Sequence, residues 1–193
     1  MTGVVLAGGK SSRMGTEKGL LNFLGKPMWL KMHDLILPYC EQVIISCKES
    51  QVSLYANQSV VADHPDYESS GPLSGLLSVF KTYPDEAILA VGCDYPLLTT
   101  TEIDQLVEGR INGCDAVCFH DATSGWDEPL PAVYEKSIFS LMVREFQDGH
   151  YSPRQILRVA RTVRLSATHP ERLRSVNTPA EFQQALNGPH GIT

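Results

Sequence analysis

Short apolar, β-branched runs alternate along this chain with longer segments in which apolar residues recur every three or four positions. The short runs predict five strands, over residues 3–7, 42–47, 58–62, 87–92 and 115–119. Strands that alternate with helical segments are typical of βαβ units. The pattern therefore predicts an α/β fold with three layers, a mostly parallel sheet with helices on both faces in a Rossmann-like arrangement.

The helical segments carry recognisable start signals. The first, residues 27–37, has Pro27 at its first position, and the second, residues 72–83, begins after Gly71. The third, residues 100–110, has Thr99 or Thr100 as its cap. Beyond residue 120, a polar loop over 121–127 leads to EPLPAVY. Helical segments follow over 137–146, 153–160 and 178–186, with a short strand over 162–165.

Composition limits the classes of protein to consider. The chain has 193 residues, 42% of them hydrophobic and 20% charged, with a net charge of -6, which predicts one globular domain over residues 1–193 that binds no nucleic acid. No apolar run is long enough to span a membrane, and the N-terminus does not resemble a signal peptide. The five cysteines form no CxxC pair, which favours reduced thiols and a cytoplasmic location.

Polar residues follow four of the predicted strands. A glycine-rich loop follows the first strand, Asp63 the third, Asp94 the fourth, and the 121–127 loop the fifth. Ligands of open parallel sheets bind at the carboxyl ends of the strands. We therefore expect these four segments to meet at one edge of the sheet and form a site there.

The glycine-rich loop, LAGGKSSRMGTEK, combines three glycines with three cations. It is not a P-loop, since that pattern needs a glycine where Val4 stands, and its glycine spacing also fails the GxGxxG pattern. What remains is a loop whose N–H groups and cations can surround a phosphate chain. A plain turn with solvated cations is the alternative. The residues concerned are Gly8, Gly9, Gly15, Lys10, Arg13 and Lys18.

This loop resembles the N-terminal signature of the molybdenum cofactor guanylyltransferase family, a part of the nucleotidyltransferase superfamily that shares the motif. Three further segments resemble elements of the family: Gly71-Pro72-Leu73-Ser74-Gly75 with Asp63 before it, Cys93-Asp94-Tyr95-Pro96, and Val176-Asn177-Thr178-Pro179. One position departs from the pattern. Ser46 stands where the family commonly has an asparagine that touches the nucleotide.

The resemblance implies a Mg²⁺-dependent enzyme that transfers GMP from GTP to the terminal phosphate of the molybdopterin cofactor and releases pyrophosphate. It implies catalytic roles for Arg13, Lys18 and Asp94, with Asp94 as the metal ligand, and places nucleotide binding in residues 1–120 and acceptor binding in 121–193. Cofactor-delivery proteins or acceptor molybdoenzymes are the protein partners it suggests. The implied nucleotide-binding residues are Leu6, Ala7, Gly8, Gly9, Lys18, Ser46, Asp63 and Asp94.

The chemistry of nucleotidyl transfer suits these residue types, because it depends on positioning and on stabilising charge at the reacting phosphorus. Asp94 is a hard oxygen ligand for Mg²⁺, and Arg13 and Lys18 can neutralise charge on the phosphates. Asp63 can accept from both the N1 and N2 donors of guanine, whereas cytosine offers one amino donor. Simple turn or cap roles are the alternatives for both aspartates.

Other activities use the same motifs. A cytidylyltransferase acting on the same cofactor and a guanylyltransferase for adenosylcobinamide phosphate both remain open. A protein that carries nucleotide or cofactor without turnover is the alternative from another class.

Three further features have competing interpretations. Cys93 and His64 are expected to be a packing residue and a turn residue, and Cys114 and Cys118 to share one face of a strand. The stretch around Trp126 and Asp127 is either part of the acceptor pocket, as the resemblance implies, or a loop before an edge strand. Six arginines lie between residues 154 and 174. Three of them, Arg154, Arg158 and Arg161, are spaced to share a helix face, which either lines the acceptor-phosphate pocket or is solvated.

Overall fold

A seven-stranded sheet forms the centre of the molecule in the computed structural model, which describes residues 1–8, 17–55, 57–67 and 71–188. Within these ranges the strand order is β5-β4-β1-β6-β8-β7-β9, and β2 pairs separately with β3. The strands are β1 (Thr2–Leu6), β2 (Asn22–Phe23), β3 (Lys26–Pro27), β4 (Gln42–Cys47), β5 (Val60–Ala62), β6 (Ile88–Gly92), β7 (Ala116–Asp121), β8 (Trp126–Tyr134) and β9 (Thr162–Leu165).

The sheet is mostly parallel, as the sequence predicts, with one exception. β8 runs antiparallel to both of its neighbours, β6 and β7, while the other pairs in the sheet are parallel. A short connection can join only antiparallel strands, and four residues, 122–125, separate β7 from β8.

The prediction of an edge strand at EPLPAVY is wrong. β8 is interior, and it includes Trp126 and Asp127, which were assigned to the loop before it. Residues 130–134 are buried on both faces of the sheet. A continuous apolar run of this kind is typical of an interior strand.

Helices cover both faces of the sheet, which confirms the three-layer prediction. A Cβ at Gly3 would touch Ile36 of α1, whereas Leu6 touches Gly75 of α2, and residues 3 and 6 of one strand point to opposite faces. α3 packs against α1, and α4 packs against both α2 and α5. The helices are α1 (Met28–Ile36), α2 (Pro72–Thr82), α3 (Thr100–Glu108), α4 (Phe139–Gln147), α5 (Pro153–Val159) and α6 (Pro179–Asn187).

The helix start signals are mostly confirmed. Thr99 caps α3, and Glu102 Oε2 accepts from its N–H at 3.1 Å and its hydroxyl at 2.7 Å. Thr178 caps α6 similarly: the Glu181 carboxylate accepts from the N–H of Thr178, and the N–H of Glu181 donates to the Thr178 hydroxyl. Pro27 is the correction: it lies in β3 and precedes α1, because a β2–β3 hairpin with positive φ at Leu24 and Gly25 comes directly before the helix.

Two other local expectations change in the structure. Cys114 precedes β7, so it does not share a strand with Cys118, although both thiols are buried. α5 ends at Val159, so Arg161 lies beyond the helix.

Both parts of the chain contribute to one buried cluster. Val5 and Leu76 from the first 120 residues pack in the same core as Tyr134, Ile156 and Phe182 from the rest. Among the helices described, none is both long and apolar enough to cross a membrane.

Candidate active site

A cleft of about 1010 Å³ opens at the carboxyl edge of the sheet, where β1, β4, β5 and β6 end. Three of the four polar segments predicted to meet there line it: the start of the glycine loop, Asp63 and Asp94. The fourth segment, the 121–127 loop, does not line the cleft, but Leu130 of β8 does. The lining residues are Leu6, Ala7, Gly8, Lys18, Ser46, Lys48, Glu49, Ser50, Asp63, Gly71, Pro72, Ser74, Gly75, Gly92, Cys93, Asp94 and Leu130.

The start of the glycine loop is fastened to β4. The N–H groups of Ala7 and Gly8 donate to the carbonyl oxygen of Ser46, at 2.8 and 3.2 Å. A Cβ at Gly8 would lie 3.3 Å from the Cα of Cys47, so a small residue lets the chain run close to β4. Gly9, Lys10, Arg13 and Gly15 lie outside the described residues.

Ser46 also contacts the helix on that face. Its hydroxyl is buried and has no hydrogen-bond partner within the described residues, and it points at Gly75 of α2. A Cβ at Gly75 would lie 2.6 Å from Ser46 Oγ and from Leu6 Cδ2. The close approach brings the N-terminus of α2 to the cleft, where the positive end of the helix dipole favours an anionic ligand.

Lys18, Asp94 and Asn177 form a cluster on one side of the cleft. Lys18 Nζ donates to Asp94 Oδ2 at 3.3 Å and to Asn177 Oδ1 at 2.7 Å. The Lys18 and Asp94 side chains are 22% and 27% exposed, so a ligand in the cleft can reach them. The sequence motif containing Asn177 was noted, but it was not predicted to lie at Lys18, which is distant along the chain.

The segment that carries Asn177 is held in place by three contacts. The N–H of Val176 donates to the carbonyl oxygen of Asp94 at 2.8 Å. Arg172 Nη1 donates to Thr99 Oγ1 at 2.9 Å, and Glu181 Oε2 accepts from the N–H of Asn177 at 2.7 Å. These contacts fix the amide of Asn177 beside Asp94.

Asp63 and His64 occupy the end of β5. The N–H of Asp63 donates to the carbonyl oxygen of Cys47 at 2.8 Å, which holds the residue at the cleft wall. His64 is a turn residue, as expected: its Nδ1 accepts from the N–H of Asp66 at 3.2 Å, and its N–H donates to Ser78. The contact between Asp63 and a base stays a prediction.

Cys93 is a packing residue rather than a nucleophile. Its side chain is buried, and burial, followed by the charge of Asp94, raises the pKa of the thiol far above its ordinary value. The thiolate is the reactive form of cysteine, so this environment suppresses reactivity.

The predicted face of three arginines on one helix is wrong, because Arg161 lies beyond α5, and a role of Arg154 and Arg158 in acceptor binding stays a prediction. Three arginines of this stretch pair with acids on other elements. Arg161 binds Asp115 at 2.7 Å at the opposite edge of the sheet, and Arg164 binds Asp127 at 3.0 Å. Arg154 on α5 binds Glu128 at 3.2 Å. Within the stretch itself there is a single acid, so its sequence gave no sign of these partners.

The donor set of the cleft fits a magnesium ion shared with phosphates. No group of three or more His, Cys, Asp or Glu side chains in the described ranges is arranged to hold a metal by itself. Mg²⁺ usually binds through one or two protein oxygens together with waters and substrate phosphates. The partly exposed carboxylate of Asp94 meets that requirement.

A mostly parallel sheet with a glycine loop, an acidic side chain and a lysine at its carboxyl edge defines a nucleotide-binding α/β domain. The chain belongs to the MobA-like NTP transferase domain family, whose model matches residues 3–169.

Individual relatives agree with this assignment. The chain is 32% identical to "Probable molybdenum cofactor guanylyltransferase" of Thermococcus sibiricus, over 96% of this chain and 91% of that protein. It is 30% identical to "Molybdenum cofactor biosynthesis bifunctional protein" of Synechocystis, over 94% of this chain, and spans about half (52%) of that protein. The fold matches molybdopterin-guanine dinucleotide biosynthesis protein A from Archaeoglobus fulgidus with a TM-score of 0.78, at 22% identity and 96% coverage of both chains.

Proposed function

We propose that this protein transfers GMP from GTP to the terminal phosphate of the molybdopterin cofactor and releases pyrophosphate, in a Mg²⁺-dependent reaction. The family and the names of its relatives support the guanylyl transfer and the acceptor. The observation that carries the proposal is the Lys18, Asp94 and Asn177 cluster in the cleft at the carboxyl edge.

In this reaction an oxygen of the acceptor phosphate attacks the α-phosphorus of GTP, and the bond from that phosphorus to the departing pyrophosphate breaks. Lys18, with Arg13 from the glycine loop, neutralises charge on the α-phosphate and on pyrophosphate. The N–H groups at the start of α2 and in the loop orient the phosphates. Asp94 would hold Mg²⁺, which supplies further stabilisation of charge on the phosphate oxygens.

Base selection is assigned to Asp63, at the wall of the cleft. Its carboxylate can accept from both N1 and N2 of guanine, whereas cytosine offers a single amino donor. The proposal therefore predicts that GTP is preferred to CTP.

Pyrophosphate release tests the proposal directly. GTP, CTP and ATP are each incubated with the protein and Mg²⁺, with and without molybdopterin. We expect release with GTP that depends on molybdopterin. Release with CTP but not with GTP would indicate a cytidylyltransferase. A further mixture contains GTP and adenosylcobinamide phosphate, and release in that mixture only would identify adenosylcobinamide phosphate as the acceptor. Tight binding of GTP without release in any mixture would indicate a carrier.

Lys18→Ala tests the catalytic cluster, with Lys26→Ala as its matched control. Lys26 forms an exposed ion pair with Asp34 and does not line the cleft. Loss of Lys18 is expected to slow single-turnover chemistry about 100-fold or more, since one charge-stabilising donor disappears. Lys26→Ala should keep the wild-type rate. A Lys18 effect confined to GTP affinity would contradict a role in the chemical step.

The proposal also includes a cytoplasmic location, which the five free thiols support. Proteins that deliver molybdopterin or receive the dinucleotide cofactor are its proposed partners.

A further inference from the structure

The ammonium of Lys18 lies between two oxygen ligands of the kind that bind hard cations. One is the carboxylate oxygen Oδ2 of Asp94, at 3.3 Å, and the other is the amide oxygen Oδ1 of Asn177, at 2.7 Å. Carboxylate and amide oxygens are typical ligands of divalent cations. A positively charged group of this protein thus occupies the space that both oxygens face.

The two residues that carry these oxygens are held by main-chain contacts that do not involve Lys18. Asp94 accepts through its main chain from Val176, and the N–H of Asn177 donates to Glu181 at the N-terminus of α6. Departure of the ammonium would therefore leave both residues tethered near their present positions.

Lys18 itself is suited to move. Its ammonium is carried on a flexible four-carbon stem, and its side chain is 22% exposed towards the cleft. Phosphates bound by the glycine loop would offer it new anionic partners in the same cleft.

We propose that Lys18 is a placeholder for the divalent cation. In the nucleotide-free protein its ammonium bridges Asp94 and Asn177, the residues that would hold Mg²⁺, and it moves away from them to the nucleotide phosphates when nucleotide and metal bind. This inference rests on the proposed Mg²⁺-dependent function. It means that the empty protein binds Mg²⁺ weakly, because the metal must displace a bound cation, and that nucleotide favours metal binding by drawing Lys18 away.

The test measures Mn²⁺ affinity of the nucleotide-free protein by electron paramagnetic resonance, followed by competition with Mg²⁺. Lys18→Met keeps the length of the side chain and removes its charge. We expect its affinity for both ions to rise about 30-fold, since even in water the repulsion between a unit charge and a divalent ion about 4 Å away has an effect of this size. Lys18→Gln is a second neutral variant and should behave alike.

Two matched variants control the measurement. Lys26→Met removes a paired lysine outside the cleft and should leave the affinity unchanged. Adding Asn177→Ala to Lys18→Met should reverse most of the gain, because one of the two oxygens is lost. Unfolding curves of each variant confirm that folded proteins are compared.

A spectroscopic readout follows Lys18 directly. In protein labelled with ¹⁵N-lysine, the Lys18 ammonium signal, assigned by its absence from Lys18→Met, should shift when Mg²⁺ saturates the site. Unchanged or weaker affinity in folded Lys18→Met and Lys18→Gln would overturn the placeholder, leaving Lys18 a fixed ion-pair partner. The measurement uses no turnover, so absence of pyrophosphate release would count against the proposed function and not against this inference.

Discussion

Asp94 depends on the glycine two residues before it for its place in the cleft. A Cβ at Gly92 would lie 2.6 Å from Asp94 Oδ1, so the carboxylate turns back over the end of β6 only because no side chain is there. At the other oxygen, Oδ2, it accepts from Lys18. Single residues thus set which way the charged groups of the site face.

Asp94→Asn should leave the protein folded and reduce turnover about 100-fold or more. The amide keeps the shape of the carboxylate but lacks the charge that would hold Mg²⁺. Pyrophosphate release across a range of Mg²⁺ concentrations measures the effect, and circular dichroism checks the fold. Rates near wild type at saturating Mg²⁺ would contradict the assignment of Asp94 as metal ligand.

Asp63→Ala should weaken GTP relative to CTP. Two donors of guanine would lose their acceptor, at a cost of roughly 1 to 3 kcal/mol. Competition binding of GTP, CTP and ATP to the variant and the wild type measures the ratio, with Asp66→Ala as a control on the neighbouring turn. If the ratio stays the same, Asp63 shapes the loop and main-chain groups read the base.

At the scale of elements, one wall of the cleft is formed by α2, which lies close to the sheet at Gly75. Gly75 presents no side chain to Leu6 and Ser46, so the helix packs directly on β1 and β4. The N-terminus of α2 and the start of the glycine loop consequently face the same space. The position of a whole helix therefore sets the width of the cleft.

Gly75→Ala should destabilise the protein by about 1 to 3 kcal/mol, because its new methyl group would overlap Ser46 Oγ and Leu6 Cδ2 and push α2 outward. GTP affinity should fall as well. Urea unfolding and GTP titration measure both effects.

The control needs a substitution that neither overlaps a neighbour nor strains the main chain. A Cβ at Gly113 would meet nothing within 4 Å, but Gly113→Ala is unsuitable because the φ of +83° at this position strains any side chain. Ser53→Ala, on an exposed position away from α2, serves instead.

Asp115 joins three elements at the edge of the sheet opposite the cleft. It accepts from the Arg161 side chain at 2.7 and 2.9 Å and from Ser137 Oγ at 2.7 Å, just before β7 begins. Mainly because the Arg161 side chain donates these hydrogen bonds, the pKa of the Asp115 carboxyl lies far below its usual value.

Asp115→Asn should therefore destabilise the protein at neutral pH by about 1 to 3 kcal/mol, through the loss of charge-assisted hydrogen bonds. A depressed folded-state pKa contributes stability that is fully present above the unfolded-state pKa, about 4, and is lost as the pH falls towards the folded value. The difference between variant and wild type should shrink as the pH falls below about 4. Urea unfolding at several pH values checks this, and a constant difference would contradict it.

At the scale of the whole molecule, the cleft links distant parts of the chain. Its walls come from segments between Leu6 and Leu130, and Asn177 reaches Lys18 from a segment just before the last helix. A ligand bound there contacts elements that unfolding would separate. Nucleotide binding is consequently expected to stabilise the fold as a unit.

GTP with Mg²⁺, at about 100 times its dissociation constant, should stabilise the protein by about 2.7 kcal/mol. For a chain of this size that corresponds to a rise of about 5 to 10 °C in Tm. Differential scanning fluorimetry measures it, with CTP at the same concentration as the comparison. A rise as large with CTP as with GTP would contradict guanine selection.

The sequence by itself determined the α/β class, most of the parallel strands, and the place of the glycine loop, Asp63 and Asp94. These features depend on local rules: the side-chain period of a strand or helix, and the turn that follows each parallel strand. Signature motifs also predicted the family. Both the class and the family are confirmed.

The tertiary structure alone decided the rest. It placed β8 inside the sheet and antiparallel to its neighbours, brought Asn177 to Lys18, and paired Arg161 and Arg164 with acids on other elements. Each of these contacts joins residues far apart along the chain. Their formation depends on how separate elements pack and which buried charges need partners, and no local sequence pattern records that choice.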